Sequence, residues 1–302
     1  MSCLKPYTGQ ENKVNDIPLR VESLFKRFPG KQGIGTVHAV SDLSFTVNSG
    51  EITGFIGHNG AGKTTTIKCI LGLLRPSSGS VSLWGHSPGS FEARKRIGYV
   101  PENPDYDQSF SPLEYLTMFA SMRGISGNKK DWYALLDRVG LAGWEKNGIK
   151  QFSKGMRQRM SLALALQSKP DLLIMDEPAG GLDPIARKQF REIITRENQR
   201  GASVLLSSHI LSEVEMICHR AVMLSRGKLV SQGSMAELLG SEKEYHLTSV
   251  LNGKRSTVTV SEGALQKKID SLRDTGAEIT AVEQVMKTLE EVYLKADGGE
   301  KQ

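Results

Sequence analysis

The chain opens with alternating apolar and polar positions and then passes into short unbroken apolar runs. Residues 19–25 and 37–47 alternate with period two, which predicts antiparallel strands with one buried face. Residues 51–56 (EITGFI), 97–100, 172–175 and 204–206 are short apolar runs, the pattern of strands buried on both faces. Helical spacing takes over between them. Residues 65–74 read as a packed helix, and 103–166 as a mostly helical stretch with two apolar stripes. One stripe is Leu113, Tyr115, Leu116 and Phe119; the other is Trp132, Leu135, Leu136 and Val139. Beyond Gly240 the pattern changes again. Residues 245–251 and 256–260 flank Asn252-Gly253, a pair that favours a type I′ turn, so a hairpin is expected there. Leu265, Ile269 and Leu272 share one helical face, 278–282 reads as a further strand and 288–294 as a closing helix. The pattern divides the chain into a flexible leader (1–16), a large α/β body (17–240) and a small α+β extension (241–302). Disorder is expected from about Asp297.

Composition narrows this picture a little. At 302 residues there is room for one large domain, or a large one and a small one. Hydrophobic residues at 38% and charged residues at 24% are ordinary for a globular protein. No apolar run approaches the ~20 residues that a membrane-spanning helix needs. The polar N-terminus lacks the apolar core of a signal peptide. A cytoplasmic protein is expected, reaching a membrane only through a partner. Cys3, Cys69 and Cys218 are scattered without metal-ligand spacing, which fits a reducing compartment and no structural disulfide. Cys69 lies among apolar residues and is expected in the core. The net charge of +6 suits anionic nucleotides or lipid headgroups, and a solvated basic surface equally.

Chemistry enters at residues 57–65, GHNGAGKTT. Gly57, Gly62, Lys63 and Thr64 fill the fixed positions of G-x-x-x-x-G-K-[ST], between the predicted strand and helix that the motif requires. The glycines let the backbone curl, so that N–H groups along His58, Asn59, Gly60, Ala61, Gly62, Lys63, Thr64 and Thr65 can face phosphate oxygens at the positive end of a helix. Lys63 would reach the β- and γ-phosphates, and the Thr64 hydroxyl would ligate magnesium. A chance glycine-rich turn is the bland competitor, and the flanking elements disfavour it. The second feature is DLLIMDEP at 171–178, a buried strand ending in two acids. Ligands gather at the carboxyl ends of parallel strands. Asp176 would emerge beside the phosphate loop and hold magnesium through water, while Glu177 would orient or deprotonate the attacking water. An acid pair that merely caps the next element is the alternative. Together the motifs point to a nucleoside triphosphatase.

Three more segments complete an ordered set: FSKGM at 152–156, Gly181-Leu182-Asp183-Pro184, and Leu206-Ser207-Ser208-His209. In order and spacing, the whole set resembles the ATP-binding cassette (ABC) ATPases over roughly residues 21–239. The resemblance implies an α/β P-loop NTPase fold of the ABC ATPase type. That fold has a mixed core sheet, an antiparallel β subdomain and a helical subdomain at about 103–166, here followed by the small C-terminal α+β appendage. It implies ATP and magnesium as ligands. FSKGM resembles the family's signature segment, commonly LSGGQ: Ser153 and Gly155 match it, Lys154 and Met156 depart. In the family this segment closes on the γ-phosphate bound to the other protomer, so a head-to-tail dimer, most simply a homodimer, is implied. Taken alone, the segment would read as a basic amphipathic helix start. Glu102, in GYVPENP, stands where the family usually carries a glutamine that touches magnesium and senses the membrane partner. A carboxylate still ligates metal but cannot donate as an amide does. Glutamate there, and a signature close to YSKGMRQR, resemble the exporter-type branch that works on drugs, lipids or polysaccharides. His209 resembles the switch histidine on the γ-phosphate, Asp183 the acid of the dimer-interface loop, and Phe28 the aromatic that stacks on adenine.

The expected protein is therefore an ATP-hydrolysing subunit working as a dimer on a separate integral-membrane permease, at the cytoplasmic face of the cell membrane. The Glu102 loop and the extension favour export or a membrane-remodelling role, including supply of a factor to an assembly system outside the membrane. One rival is a soluble cassette protein acting on ribosomes or nucleic acid; another is a small-molecule kinase sharing the phosphate loop. No second cassette, coiled-coil arm, base-stacking or zinc module stands in the sequence, so no nucleic-acid partner is expected. The FSKGM and histidine segments disfavour the kinase.

Overall fold

The alternating segments at the start of the chain pair as antiparallel strands, β1 (Leu19–Pro29) and β2 (Thr36–Val47). The structure, a computed structural model, describes residues 17–30, 34–240, 244–285 and 287–298. The leader and Cys3 lie outside the described residues. After β3 (Ile52–Ile56) and α1 (Lys63–Ile70) comes β4 (Ser78–Ser82), which pairs with β1 and completes a three-stranded sheet in the order β2-β1-β4. Helix α1 stops at Ile70, earlier than its apolar run suggests, because Leu71 caps it and Gly72 turns left-handed at φ 71°.

The unbroken apolar runs build a second sheet. It holds β3 together with β5 (Ile97–Val100), β6 (Leu172–Met175), β7 (Ser203–Ser208), β8 (Arg220–Ser225) and β9 (Lys228–Ser234), in the order β5-β6-β7-β3-β8-β9. From β5 to β8 every neighbouring pair is parallel. All residues of β3, β6 and β7 are buried, as continuous apolar strands in a covered parallel sheet should be. Helix α7 (Leu211–Ile217) packs on β3 at Gly54, where a Cβ would meet Val214 Cγ1 at 2.3 Å, so only glycine admits the helix. The two sheets share a core in which Phe45 of β2 stacks on Phe55 of β3, ring centroids 5.2 Å apart.

The segment between β5 and β6 carries the expected helices. After the short α2 (Phe91–Lys95) and β5 come α3 (Pro112–Arg123), α4 (Lys129–Arg138) and α5 (Lys154–Leu166). Capping boxes at Ser111/Glu114 and Asn128/Asp131 fix the starts of α3 and α4. Their apolar stripes are buried, apart from the half-buried Phe119. Helix α6 (Pro184–Gln199) then connects β6 to β7.

The chain divides into two compact units between Val230 and Ser231 rather than after Gly240. The reason is α8 (Met235–Leu239), which packs with the last helix, α10 (Leu289–Gly298). In this second unit the expected hairpin forms from β10 (Glu244–Leu251) and β11 (Lys254–Ser261), with Asn252 and Gly253 left-handed at φ 51° and 75°. Helix α9 (Glu262–Asp274) packs on the sheet β11-β10-β12, where β12 is Glu278–Val285. Helix α10 includes Asp297 and Gly298, where disorder was expected to begin; the rest of that stretch, residues 299–302, lies outside the described residues.

Candidate active site

Four neighbouring parallel strands deliver the candidate residues at their carboxyl ends: β3 leads into Gly57, β6 into Asp176, β7 into His209, and β5, through Pro101, into Glu102. The loop after β3 is tight. A Cβ on Gly57 would lie 2.6 Å from Leu224 O; one on Gly62, left-handed at φ 103°, would lie 2.6 Å from Ala39 O. Both positions therefore demand glycine. Gly62 is the N-cap of α1 and offers no side chain to its first N–H groups, which leaves them for an anion. Lys63 is 5% exposed, and its Nζ donates to Gly57 O at 2.5 Å and His58 O at 3.2 Å.

Asp176 is 1% exposed, and its Oδ1 accepts from Ser207 Oγ at 2.7 Å. Burial raises its pKa above the usual carboxylate range, the hydroxyls of Ser207 and Thr64 pull it back, and the Glu177 and Glu102 charges push it up again. Glu177 is left-handed at φ 48°, a conformation that costs a non-glycine residue about 1–3 kcal/mol. Its N–H donates to Ser207 Oγ at 2.9 Å, so one hydroxyl holds both acids. The Glu177 carboxylate divides its duties. Oε2 lies 2.6 Å from His209 Nδ1 and accepts from the His209 N–H at 3.3 Å. Oε1 faces Lys63 Nζ at 3.0 Å without an aligned hydrogen bond. It is a buried acceptor with unspent capacity.

These groups border a cavity of about 290 Å³ lined by Ala39, His58, Asn59, Gly60, Gly62, Lys63, Thr64, Thr65, Glu102 and Glu177. Backbone donors, one buried ammonium and carboxylates around such a space suit a phosphate chain with a hard cation. Among the described residues no group of three His, Cys, Asp or Glu side chains could hold a metal alone. Magnesium needs no such group, since it takes one or two carboxylates and completes its shell with water and substrate phosphates.

Comparison with known proteins decides the family. The ABC transporter family model matches residues 40–180. A second model, an AAA domain described as putative AbiEii toxin, Type IV TA system, matches 148–215, the stretch around the two acids. The ABC transporter ATP-binding protein all4389 of Nostoc sp. is 43% identical over 70% of this chain; the chain spans 64% of that relative's length. The Nod factor export ATP-binding protein I of Burkholderia thailandensis is 36% identical over 74% of this chain and 73% of its own. Among solved structures, an ATP binding subunit of an ABC transporter superposes with TM-score 0.65 at 32% identity, covering 73% of this chain and 91% of that one. The chain belongs to the ABC transporter ATP-binding proteins. ATP binding and hydrolysis go with that membership.

The ABC ATPase fold brings most, but not all, of the candidate residues to one place. Gly57 and Ala61 support the loop from below, and Asp176 and His209 stand behind Thr64 and Glu177. The signature residues do not line the cavity. Ser153 is exposed and caps α5, accepting from the Met156 N–H at 3.2 Å. Lys154 is exposed, and its Nζ lies where a Cβ on Gly181 would be 2.8 Å away; Gly155 packs near Leu182. Asp183 is the N-cap of α6, with Oδ1 accepting from the Ala186 N–H at 2.8 Å. Phe28 is half-buried on β1 outside the cavity lining, with Lys26 Nζ 5.0 Å above its ring.

Two residues of this ABC ATPase site stand within the motif segments but were given no role by them. Ser207, in the Leu206–His209 segment, joins the acids from the end of a buried apolar strand. Gln158 on α5, 1% exposed, donates from Nε2 to Pro101 O at 3.0 Å and so ties the signature helix to the Glu102 loop.

Proposed function

We propose that this ATPase powers export by closing head-to-tail on a second copy of itself, and that it works on a separate permease at the inner face of a cell membrane. The observation that carries the reading is the division of the site. The phosphate cavity with Glu177 is assembled within one chain, whereas Ser153 stands exposed at the N-cap of α5, outside the cavity lining. An exposed serine at a helix N-terminus suits the γ-phosphate of a second protomer. The Nod factor export relative supports the direction of transport.

In this reading the loop N–H groups and Lys63 bind the β- and γ-phosphates. Thr64 and Asp176 would hold magnesium, with Glu102 at the cavity wall, and the ion would supply charge neutralisation at the phosphates. Arrival of the γ-phosphate draws Lys63 away from Glu177. Oε1 is then free to take a proton from the attacking water, while His209 keeps Oε2 in place. Closure exerts force because each ATP bridges two chains and so binds the closed state preferentially.

The permease segment docks beside the Glu102 loop, in a second cavity of about 390 Å³ whose walls include Ile97, Tyr99, Pro101, Phe119, Arg123 and Leu164. Burial lowers the Arg123 pKa, and its guanidinium donates to Ile97 O at a long 3.4 Å. A carboxylate on an otherwise apolar helix would satisfy it.

The test is a pull-down from detergent-solubilised membranes with tagged Glu177→Gln, ATP and magnesium. A multi-span membrane protein in the eluate, lost on removing ATP or on Arg123→Glu, is the expected result. Ribosomal or nucleic-acid material without a membrane protein would overturn the transport reading.

A further inference from the structure

We propose that the ion pair between Arg191 and Glu213 is a positioning device of the hydrolytic site, setting the place of His209 from the helix that begins at Asp183. Arg191 lies on α6 and Glu213 in the first turn of α7; Arg191 Nη1 donates to Glu213 Oε2 at 2.5 Å. The side chains are 22% and 11% exposed, so the pair is largely withdrawn from water.

The two helices are held very differently without it. Helix α6 has a buried face of Ala186, Phe190, Ile193 and Ile194, and both Asp183 and Pro184 fix its start. Helix α7 is seven residues long, its N-cap Ile210 offers no side-chain hydrogen bond, and its buried residues are Glu213 and Val214. Its packing rests on Val214, seated against Gly54 of β3, and leaves the N-terminal turn to Glu213. Only Ile210 separates it from His209, whose Nδ1 holds Glu177 Oε2 at 2.6 Å. Any drift of α7 is therefore passed to the Glu177 carboxylate.

The surroundings leave room for drift. A small void of about 20 Å³ borders Arg191 and Glu213, and its other walls include Pro178, Ala179, Ser207 and Ser208, the residues that follow and support the two acids. Close packing, which elsewhere in a core fixes positions, is interrupted where the acid loop meets α6 and α7. A partly buried ion pair contributes little net stability, since desolvation offsets its attraction, but it fixes register well. Arginine's rigid fork suits that task better than lysine's flexible stem. The pair thus links the Asp183 segment, expected at the dimer contact, to His209 and Glu177. The inference rests on the reading of Glu177 as the base.

The decisive variant is the apolar exchange Arg191→Met with Glu213→Leu, in the full chain, assayed by phosphate release. We expect the melting temperature and the KM for ATP to be kept while kcat falls by between about ten- and a hundred-fold, the scale of a 1 Å misplacement. The reversed pair, Arg191→Glu with Glu213→Arg, should recover a large part of kcat. A folded exchange variant with wild-type kcat overturns the proposal. So does a loss in which kcat, KM and melting temperature all deteriorate together, the mark of a merely structural role. If the exchange variant does not fold, Glu213→Gln decides by the same split, and unchanged kcat overturns the proposal. Glu177→Gln is assayed alongside. Its continued turnover would remove the base assignment itself, whereas an inactive Glu177→Gln beside a fully active exchange variant removes only the positioning role.

Discussion

The phosphate-loop half of the site and the signature half satisfy their polar groups in opposite ways. Around the loop, Lys63, Asp176 and Glu177 are buried; Lys63 is held by carbonyls of its own loop, and the two acids by Ser207 and His209 at the end of β7. At the signature, Ser153 is exposed and its oxygen does no more than cap its own helix. A buried polar group must find its partners inside the protein or cost free energy, so the first half is finished except for Glu177 Oε1, the acceptor left over for the reaction. The second half is free to take a new partner at little cost. That difference is what a site completed by a second copy requires, and each half can be attacked separately.

The largest effect is expected at the finished half. Glu177→Gln keeps the side-chain volume and removes the charge. It should lower phosphate release by about 10²–10⁴-fold, the range of a lost general base, with ATP affinity little changed. Equal losses of affinity and turnover would show that Glu177 serves phosphate binding instead. Next comes the exposed half, where Ser153→Asp separates the two duties of the residue. Aspartate caps as well as serine, and its charge at a helix N-terminus adds about 0.3–1 kcal/mol, so stability should hold or rise. The same charge opposes an incoming γ-phosphate. ATP-dependent dimerisation, measured by size-exclusion chromatography in a Glu177→Gln background, should disappear. A dimer that survives would mean that Ser153 is only a cap.

Ser207→Ala probes how the finished half is held. It strips a hydrogen bond from Asp176 Oδ1 and from the Glu177 N–H together. Leaving such buried groups unpaired costs about 1–3 kcal/mol each. A drop of several degrees in melting temperature is expected together with about tenfold lower kcat, since 1.4 kcal/mol of misplacement energy is a factor of ten. Full activity would show that the strained backbone of Glu177 needs no such support.

How far the sequence revealed these halves follows from the same contrast. The apolar runs that became β3, β5, β6 and β7, and the loop and acids at their ends, were legible because burial on both faces leaves an unbroken pattern and phosphate binding fixes residue spacing. Ser207 was legible only by resemblance, since a hydroxyl that bridges two backbone-adjacent acids has no spacing of its own. Gln158 stands in the stretch that resembles the signature, but its tie to the Glu102 loop was hidden, because only the fold brings Pro101 O to it. On β1 the registry shifts between Val21 and Arg27, with Ser23 left-handed at φ 41°, break period two, so alternation does not fix the face on which Phe28 lies. The division at Val230 depends on α8 meeting α10, a contact between segments far apart in sequence.

The smallest expected effect lies at Asp183, where the two halves approach each other along the chain. Its Oδ1 caps α6, and an asparagine in the same rotamer presents the same oxygen to the Ala186 N–H. Asparagine and aspartate are nearly equal as N-caps, so Asp183→Asn should leave stability within a few tenths of a kcal/mol, roughly the spread between good caps. What it removes is the negative charge, and the exposed Lys154 Nζ of the signature segment lies over neighbouring Gly181. If that ammonium is to reach a phosphate on the partner, the Asp183 charge competes for it in the open state. Loss of the charge should then strengthen ATP-dependent dimerisation modestly, by about two- to fivefold, the worth of an exposed ion pair at 0.5–1 kcal/mol. The gain should fade with added salt. Weaker dimerisation at every salt concentration would place Asp183 itself in the contact, with its charge as the attractive element.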